Sequence, residues 1–331
     1  LDESGVYYDI RPACLEDNAP IRLKNNKLSK AFEMLTKMYG MPDYGEFDPT
    51  PLLAPFYALF FGMCVGDAGY GLLLVLLGLY LKKKVSKSMA GLMNLLITLG
   101  VATTFVGAVF NTFFGASITD LDLPEWMNSL IISGKWDGLA YDKTMVIALL
   151  VGMFHICFAM GVKAVCETVR YGFKNSLSAW AWLLLIGGSV TVATLNYLGV
   201  IDMEMSKMAF IGIGCVSAIG IYLLNNLRRN VFVNIGAGLW DTYNMATGIL
   251  GDLLSYLRLY ALGLAGGMLG GVFNSLGMQL RDAVGDFLFG IPGWICFGLI
   301  FVAGHSLNIA LSCLSGYVHS IRLTFVEYFK N

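Results

Sequence analysis

The chain has 331 residues, 56% of them hydrophobic and only 14% charged, with a net charge of −1 and a mean hydropathy of +0.66. Soluble domains carry about 25% charged residues, so this balance excludes an ordinary soluble protein and points to an all-α polytopic membrane protein. The near-neutral charge gives no reason to expect nucleic acid binding.

Residues 1–50 are polar, punctuated by Pro12, Pro20, Pro42 and Pro49, and carry a cluster of basic residues at Lys24, Lys27, Lys30 and Lys37. Leu28 to Met38 has the pattern of one short helix. In Asp48-Pro-Thr-Pro51, Thr50 is suited to N-cap and Pro51 to open a helix without losing a useful N–H. We read 1–50 as a cytoplasmic lead-in, the end of a soluble arm, because the chain starts at Leu1 in mid-pattern. Residues 51–331 read as the membrane domain.

Pro51 to Leu81 is 31 residues with a single charge, Asp67. As one helix it would run about 46 Å, too long for a core of about 30 Å without strong tilt. Its centre, Val65-Gly-Asp-Ala-Gly-Tyr-Gly71, sets three glycines around an acid, which favours a break. Two short helices in a hairpin are expected, with Asp67 as a structural cap, a salt-bridge partner or a path residue. Lys82, Lys83, Lys84 and Lys87 follow at once and belong on the cytoplasmic side. Entry and exit on one side require an even number of crossings, which a broken hairpin satisfies.

Four spans without Asp, Glu, Lys or Arg come next: Met89–Gly115, Thr144–Val162, Leu177–Ile201 and Met208–Leu224. Each is long enough to cross a bilayer. Loops 82–88, 163–174 and 225–230 hold nine Lys/Arg, against four in 116–143, 202–207 and 281–286. The second set carries Asp120, Asp122, Glu125, Asp202, Glu204, Asp282 and Asp286. This asymmetry puts the first set, and both chain ends, in the cytoplasm. Val231–Leu280 and Phe287–Phe329 exceed the bilayer thickness and must tilt, kink or extend into water. Asn230–Tyr243 is a candidate for a separate amphipathic helix.

Within the first of these long segments, Gly251 to Ala265 is an apolar helix pattern with Arg258 at its middle. No Lys or Arg lies between Asn230 and Arg258, and none follows until Arg281. A charge at that depth costs roughly 2.5–3.5 kcal/mol on insertion scales, so it is a functional candidate by default. The alternatives are a side chain that snorkels to an interface, or one that pairs with Asp252 to join two helices. Asp252 lies off the Arg258 face, so a pair within the helix is not expected. Gly263, Gly266, Gly267, Gly270 and Gly271 contain three GxxxG spacings. They permit close approach of another helix, from this chain or from a neighbour.

The last segment carries His305, Asn308, Ser312, Ser315, His319 and Arg322 at offsets 0, 3, 7, 10, 14 and 17. That is one continuous polar stripe. Lipid does not accept six polar groups in line, so they face another helix or a water-filled path. The alternative is inter-helix hydrogen-bond glue. Six in register ending in an arginine favour an ion path, with Asp252 and Glu327 as further ionisable candidates. Asp67 and His155 are the other such groups within the apolar spans, with Glu167 and Asp241 nearer the ends.

Seven cysteines (Cys14, Cys64, Cys157, Cys166, Cys215, Cys296 and Cys313) form no CxxC pair. They read as small buried side chains rather than disulfides or a metal site. There is no GxxxxGK[ST] loop, no metal-ligand cluster and no nucleophile–base arrangement. The chain is therefore read as non-catalytic, with no nucleotide site and no cofactor.

Three motifs resemble a known family: Phe60-Phe-Gly-Met-Cys-Val-Gly-Asp-Ala-Gly-Tyr-Gly71, Leu254-Ser-Tyr-Leu-Arg-Leu-Tyr-Ala-Leu262 and Val318-His-Ser-Ile-Arg-Leu-Thr-Phe-Val-Glu-Tyr-Phe329. Leu23-Lys-Asn-Asn26, Met38-Tyr-Gly40 and Asp48-Pro-Thr50 add to it. The pattern resembles the membrane half of the V/A-type rotary ATPase stator subunit, called subunit I in bacteria and archaea and subunit a in eukaryotes. The resemblance implies eight membrane helices, the last two long and tilted, beside a rotating ring of small subunits that each carry one essential carboxylate. It implies that Arg258 and Arg322 face that ring. It also implies H⁺ or Na⁺ as the ion, and stalk subunits bound through a soluble arm. Loop lengths look like the compact bacterial form, which implies a bacterial plasma membrane. Eukaryotic members carry a glutamate ten residues before the second arginine; here that position is Ser312. The competing class is a self-contained secondary transporter or ion channel, with Arg258 as counter-ion and the 51–81 break as the substrate site.

Overall fold

The computed structural model describes residues 24–26, 29–39, 48–86, 89–120, 131–132, 134, 142–173, 176–197, 199–222, 231–284 and 291–327. Most of the lead-in lies outside the described residues, as do Cys14, Lys87, Asp122, Glu125, Lys174, Arg228, Arg229 and Asp286. Among the described residues there are nine α-helices: α1 Ser29–Tyr39, α2 Thr50–Val65, α3 Ala68–Lys84, α4 Ala90–Val109, α5 Lys143–Tyr171, α6 Leu177–Tyr197, α7 Met203–Tyr222, α8 Val231–Val284 and α9 Ile291–Arg322. A π-helical turn, Leu323–Glu327, follows α9. One small antiparallel hairpin, β1 Thr112–Phe113 and β2 Ala116–Ser117, pairs Thr112 with Ser117 and Phe113 with Ala116.

The chain is an all-α polytopic membrane protein. Six helices, α4 to α9, are long and apolar enough to cross a membrane. The shorter α2 and α3 are the two pieces expected from the 51–81 run, and reaching eight membrane helices requires counting them. Thr50 does not cap α2. It is the first helical residue, after Pro49 at the N-cap. Its hydroxyl pairs with Thr36 Oγ1 at 2.9 Å, and Asp48 Oδ1 accepts the Thr50 N–H at 2.9 Å. The break falls at Gly66, whose φ of 60° is left-handed and whose N–H returns to Gly62 O. A glycine adopts this C-terminal conformation without a Cβ penalty.

Both short helices lie on α4. Gly71 meets Gly100 and Thr104, and Gly78 meets Ile97, so α3 runs antiparallel to α4. Gly62, near the break, meets Ala102 and Val106. The start of α2 is tied to α1 at Thr36, and α1 lines a cavity with Met89 and Ala90 at the start of α4. The pair is thus a hairpin with its turn at Gly66–Asp67. Tyr57, Phe61, Val65, Leu74, Leu95 and Leu99 bury the core beneath it. A second core joins α2, α5, α6 and α8 through Phe60, Ile156, Trp182, Tyr256 and Leu259.

Several boundaries differ from the sequence expectation. Helix α4 ends at Val109, not Gly115, because the chain turns into the β-hairpin. Helix α5 continues to Tyr171, so Lys163 and Arg170 lie on the helix rather than in a loop. Helix α8 is unbroken for 54 residues, with no separate helix ending at Tyr243. It contains no proline, and α7 supports its first third: Tyr222 OH lies 3.1 Å from Thr242 Oγ1 and its ring packs on Gly238. Of the six described cysteines, all free thiols, Cys64 is buried, whereas Cys166 and Cys215 are exposed. The small-buried-side-chain reading therefore fails for those two, which lie on helix faces of α5 and α7 turned away from the protein.

Candidate functional site

The site begins at the hairpin turn. Asp67 is fully buried and caps α3, accepting the N–H of Gly69 at 2.8 Å and of Tyr70 at 3.1 Å on Oδ1. The same carboxylate reaches the β-hairpin. Phe114 N–H donates to Oδ1 at 2.9 Å and Gly115 N–H to Oδ2 at 2.8 Å. A carboxylate can only accept, and charged acceptors make the stronger hydrogen bonds. Here four backbone donors from two elements converge on it. They hold Phe114 at φ 49° and Gly115 at φ 71°, the paired left-handed residues of a tight two-residue turn. Phe114 is not a glycine, and such a conformation persists only where its surroundings enforce it.

The polar stripe of α9 faces this clamp. Asn274 Nδ2 donates to Phe114 O at 2.7 Å, and Asn274 Oδ1 lies 3.0 Å from His305 Nε2. His305 Nδ1 lies 2.7 Å from Tyr70 OH. Asn308 Nδ2 donates to Tyr70 OH and to Gly266 O, each at 2.8 Å. Ser312 Oγ reaches Asn308 Oδ1 at 3.5 Å. The rings of Phe114 and Phe301 enclose His305 at 5.6 and 4.2 Å between centroids. His305, Asn308 and Ser312 are all buried, so the first half of the stripe faces partners inside the chain.

The second half meets Arg258. Arg258 Nη1 lies 3.5 Å from His319 Nδ1, the outer limit of a hydrogen bond. Both Arg258 and Arg322 act electrostatically on His319. Ser315 and His319 are half-buried and Arg322 is exposed. The structure thus brings together Arg258, His319 and Arg322, three residues from two sequence motifs. Glu327 ends the π-helical turn, and its side chain lies outside those described. The glycine face of α8 packs within the chain: Gly263 on Met63 and Gly66, Gly266 on Ser312, Gly267 on Thr112, and Gly270 and Gly271 on Gly115.

On its other side α8 meets α5. His155 Nδ1 lies 2.7 Å from Tyr256 OH, and both are buried with Asp252. Tyr260 OH donates to Asp142 Oδ2 at 2.6 Å. Sequence reasoning missed Tyr70, Asn274, Phe114 and this second contact. Asn274 was findable, because it continues the Gly263, Gly267, Gly270 series at the same spacing. The β-hairpin pairing had only the Phe114-Gly115 dipeptide as a local signal.

The V-type ATPase 116kDa subunit family model matches residues 7–136, which include the whole clamp. The chain is 31% identical over 340 residues to A-type ATP synthase subunit I of Methanocaldococcus jannaschii, covering 95% of this chain and 47% of that protein. The chain belongs to this family. Subunit I of Pyrococcus horikoshii is 30% identical across 95% of the chain and 45% of its own length. V-type ATP synthase subunit I of Chlamydia pneumoniae is 25% identical across 98% and 55%. The chain spans about half the length of the curated relatives it matches. As a family member it carries its Arg258 and Arg322 motifs beyond the region that the family model matches.

Proposed function

We propose that this chain is the membrane part of a V/A-type rotary ATPase stator subunit, and that Arg258 and Arg322 divide two water paths that each reach halfway across the bilayer. The observation that carries this reading is the Arg258–His319 contact, which joins the two arginine motifs across α8 and α9. Ser315 and His319 line the path beside the arginines; Asp252 and Glu327 are its candidate carboxylates. In this reading the partner is a ring of small membrane subunits, each with an essential carboxylate, and stalk subunits hold the assembly to a soluble motor. Both chain ends face the cytoplasm.

The chemistry follows from the guanidinium. It keeps its proton throughout the physiological range, so it cannot pass one on. A ring carboxylate that gives up its H⁺ or Na⁺ to one path passes the arginines as an anion, stabilised by their charge. It reloads from the other path. The same charge keeps cations off the direct line between the paths. A membrane potential contributes about 2.3 kcal/mol per charge per 100 mV, and repeated transfers supply torque.

The test is Arg258→Gln in the assembled complex, with Arg258→Lys beside it. Coupled ion transport is expected to be lost while assembly survives; normal pumping by Arg258→Gln would sink the reading. Transport of a solute by the chain alone in liposomes would support a self-contained transporter instead. That alternative placed its substrate at the 51–81 break, where Asp67 is already bonded to four backbone N–H groups.

A further inference from the structure

We propose that Asn274, His305, Tyr70, Asn308 and Ser312 form a hydrogen-bonded latch with a single proton arrangement, which locks α3, α8 and α9 together and carries no ion. The argument starts from two groups whose roles are fixed by chemistry. Phe114 O is a backbone carbonyl and can only accept, so the Asn274 atom 2.7 Å away is its amide nitrogen. The Asn274 oxygen therefore faces His305 Nε2, and Nε2 must carry a hydrogen. Gly266 O is likewise an acceptor only, so the Asn308 atom beside it is nitrogen. That same nitrogen donates to Tyr70 OH, and the Asn308 oxygen is left to accept from Ser312.

These assignments leave one place for the Tyr70 hydrogen, the lone pair of His305 Nδ1 at 2.7 Å. Every member is then satisfied with His305 neutral in its Nε2–H form. A proton added at Nδ1 would occupy the lone pair that accepts the Tyr70 hydrogen, and that hydrogen would then have no acceptor within the row. A row used as a proton relay needs a member that can take a second proton and turn; His305 is bonded at both ring nitrogens and cannot turn without breaking both bonds. Among the described residues, Asp67 acts electrostatically on His305, and its carboxylate is held by backbone donors. Phe114 and Phe301 cover the ring on the remaining sides.

The latch resolves the six-residue stripe into two parts. His305, Asn308 and Ser312 are fastenings, and Ser315, His319 and Arg322 are the portion left for an ion path. This last consequence rests on the proposed function; the latch does not. It makes Tyr70 a positioning residue that acts through His305 and Asn308.

The chain has three histidines, so selective ¹⁵N labelling with His→Gln variants assigns each imidazole by solid-state NMR in bilayers. The expected His305 signature is a protonated Nε2 and a bare Nδ1, unchanged across the pH range in which a free imidazole titrates. Tyr70→Phe removes the donor, and the bare Nδ1 signal should shift and begin to titrate. An Nδ1–H tautomer, or an imidazolium forming in the unmodified chain, would overturn the latch whether or not any variant folds. In the assembled complex, transport by Tyr70→Phe should fall only as far as the subunit's thermal stability falls. Loss of transport at unchanged stability makes the row a relay and also refutes the latch. Normal transport by Arg258→Gln would remove the proposed function and leave the NMR result standing, so the two failures are distinguishable.

Discussion

Replacing Asp67 by Asn changes one atom at the point where the α2–α3 turn meets the β-hairpin. The side chain is fully buried, and its Oδ1 serves three N–H groups while Oδ2 serves Gly115. An amide keeps one oxygen. With that oxygen in the Oδ1 position, the amide nitrogen meets the Gly115 N–H, donor against donor. The lost charge-assisted bond is worth about 1.5–3 kcal/mol. The three remaining bonds weaken toward neutral strength, while the amide needs less desolvation than a carboxylate. The net expectation is a loss of about 2–4 kcal/mol, close to the cost of one charged bond plus the weakening of the others. Unfolding of the purified chain in detergent, followed by near-UV circular dichroism against denaturant, measures it. A loss below about 0.5 kcal/mol, the ordinary scatter of a surface substitution, would refute the clamp. It would return Asp67 to the ion path.

Gly115→Ala should destabilise by at least about 1–3 kcal/mol in the same assay, since φ is 71° and an added Cβ would sit 2.5 Å from Gly270 and Gly271 backbone atoms; wild-type stability would mean that the hairpin is not packed on α8. Tyr260→Phe unties Asp142 and should cost about 1.5–3 kcal/mol. Hydrogen exchange should rise in the first turn of α5, and unchanged exchange there would show that the bond is not formed. Cysteines at Ser315 should react with a membrane-impermeant thiol reagent, whereas cysteines at Leu311 and Leu314, on the exposed apolar face, should not. Equal labelling would defeat the water path.

Most of the fold was legible because lipid imposes coarse rules. Long apolar runs must be helices, and the glycine-flanked Asp67 marked the break to within a residue. The end of α4 was not legible. Phe110 to Gly115 holds three phenylalanines and no charge, so it reads as a continuation of the helix, whereas the distant Asp67 carboxylate draws the Phe114 and Gly115 N–H groups into a turn. Arg258 and the α9 stripe were visible as costly polar groups in apolar sequence. What each stripe residue touches was not, because Tyr70, 235 residues from His305, and Asn274 come from other helices. Periodicity says that a face is polar. It does not say whether water or a tyrosine covers it.

Arg258 stands at the midpoint of α8, with about 40 Å of helix on either side at 1.5 Å per residue. The two arms are braced on opposite sides of it. Tyr222 of α7 supports Gly238 and Thr242, and the turn after α2 with the β-hairpin supports Gly263 through Gly271. A beam held on both sides of the point where a sideways thrust arrives deflects less than one held at a single end. In the proposed function, a thrust at Arg258 is therefore shared between two anchorages rather than spent in bending, and the guanidinium keeps its distance from a passing carboxylate.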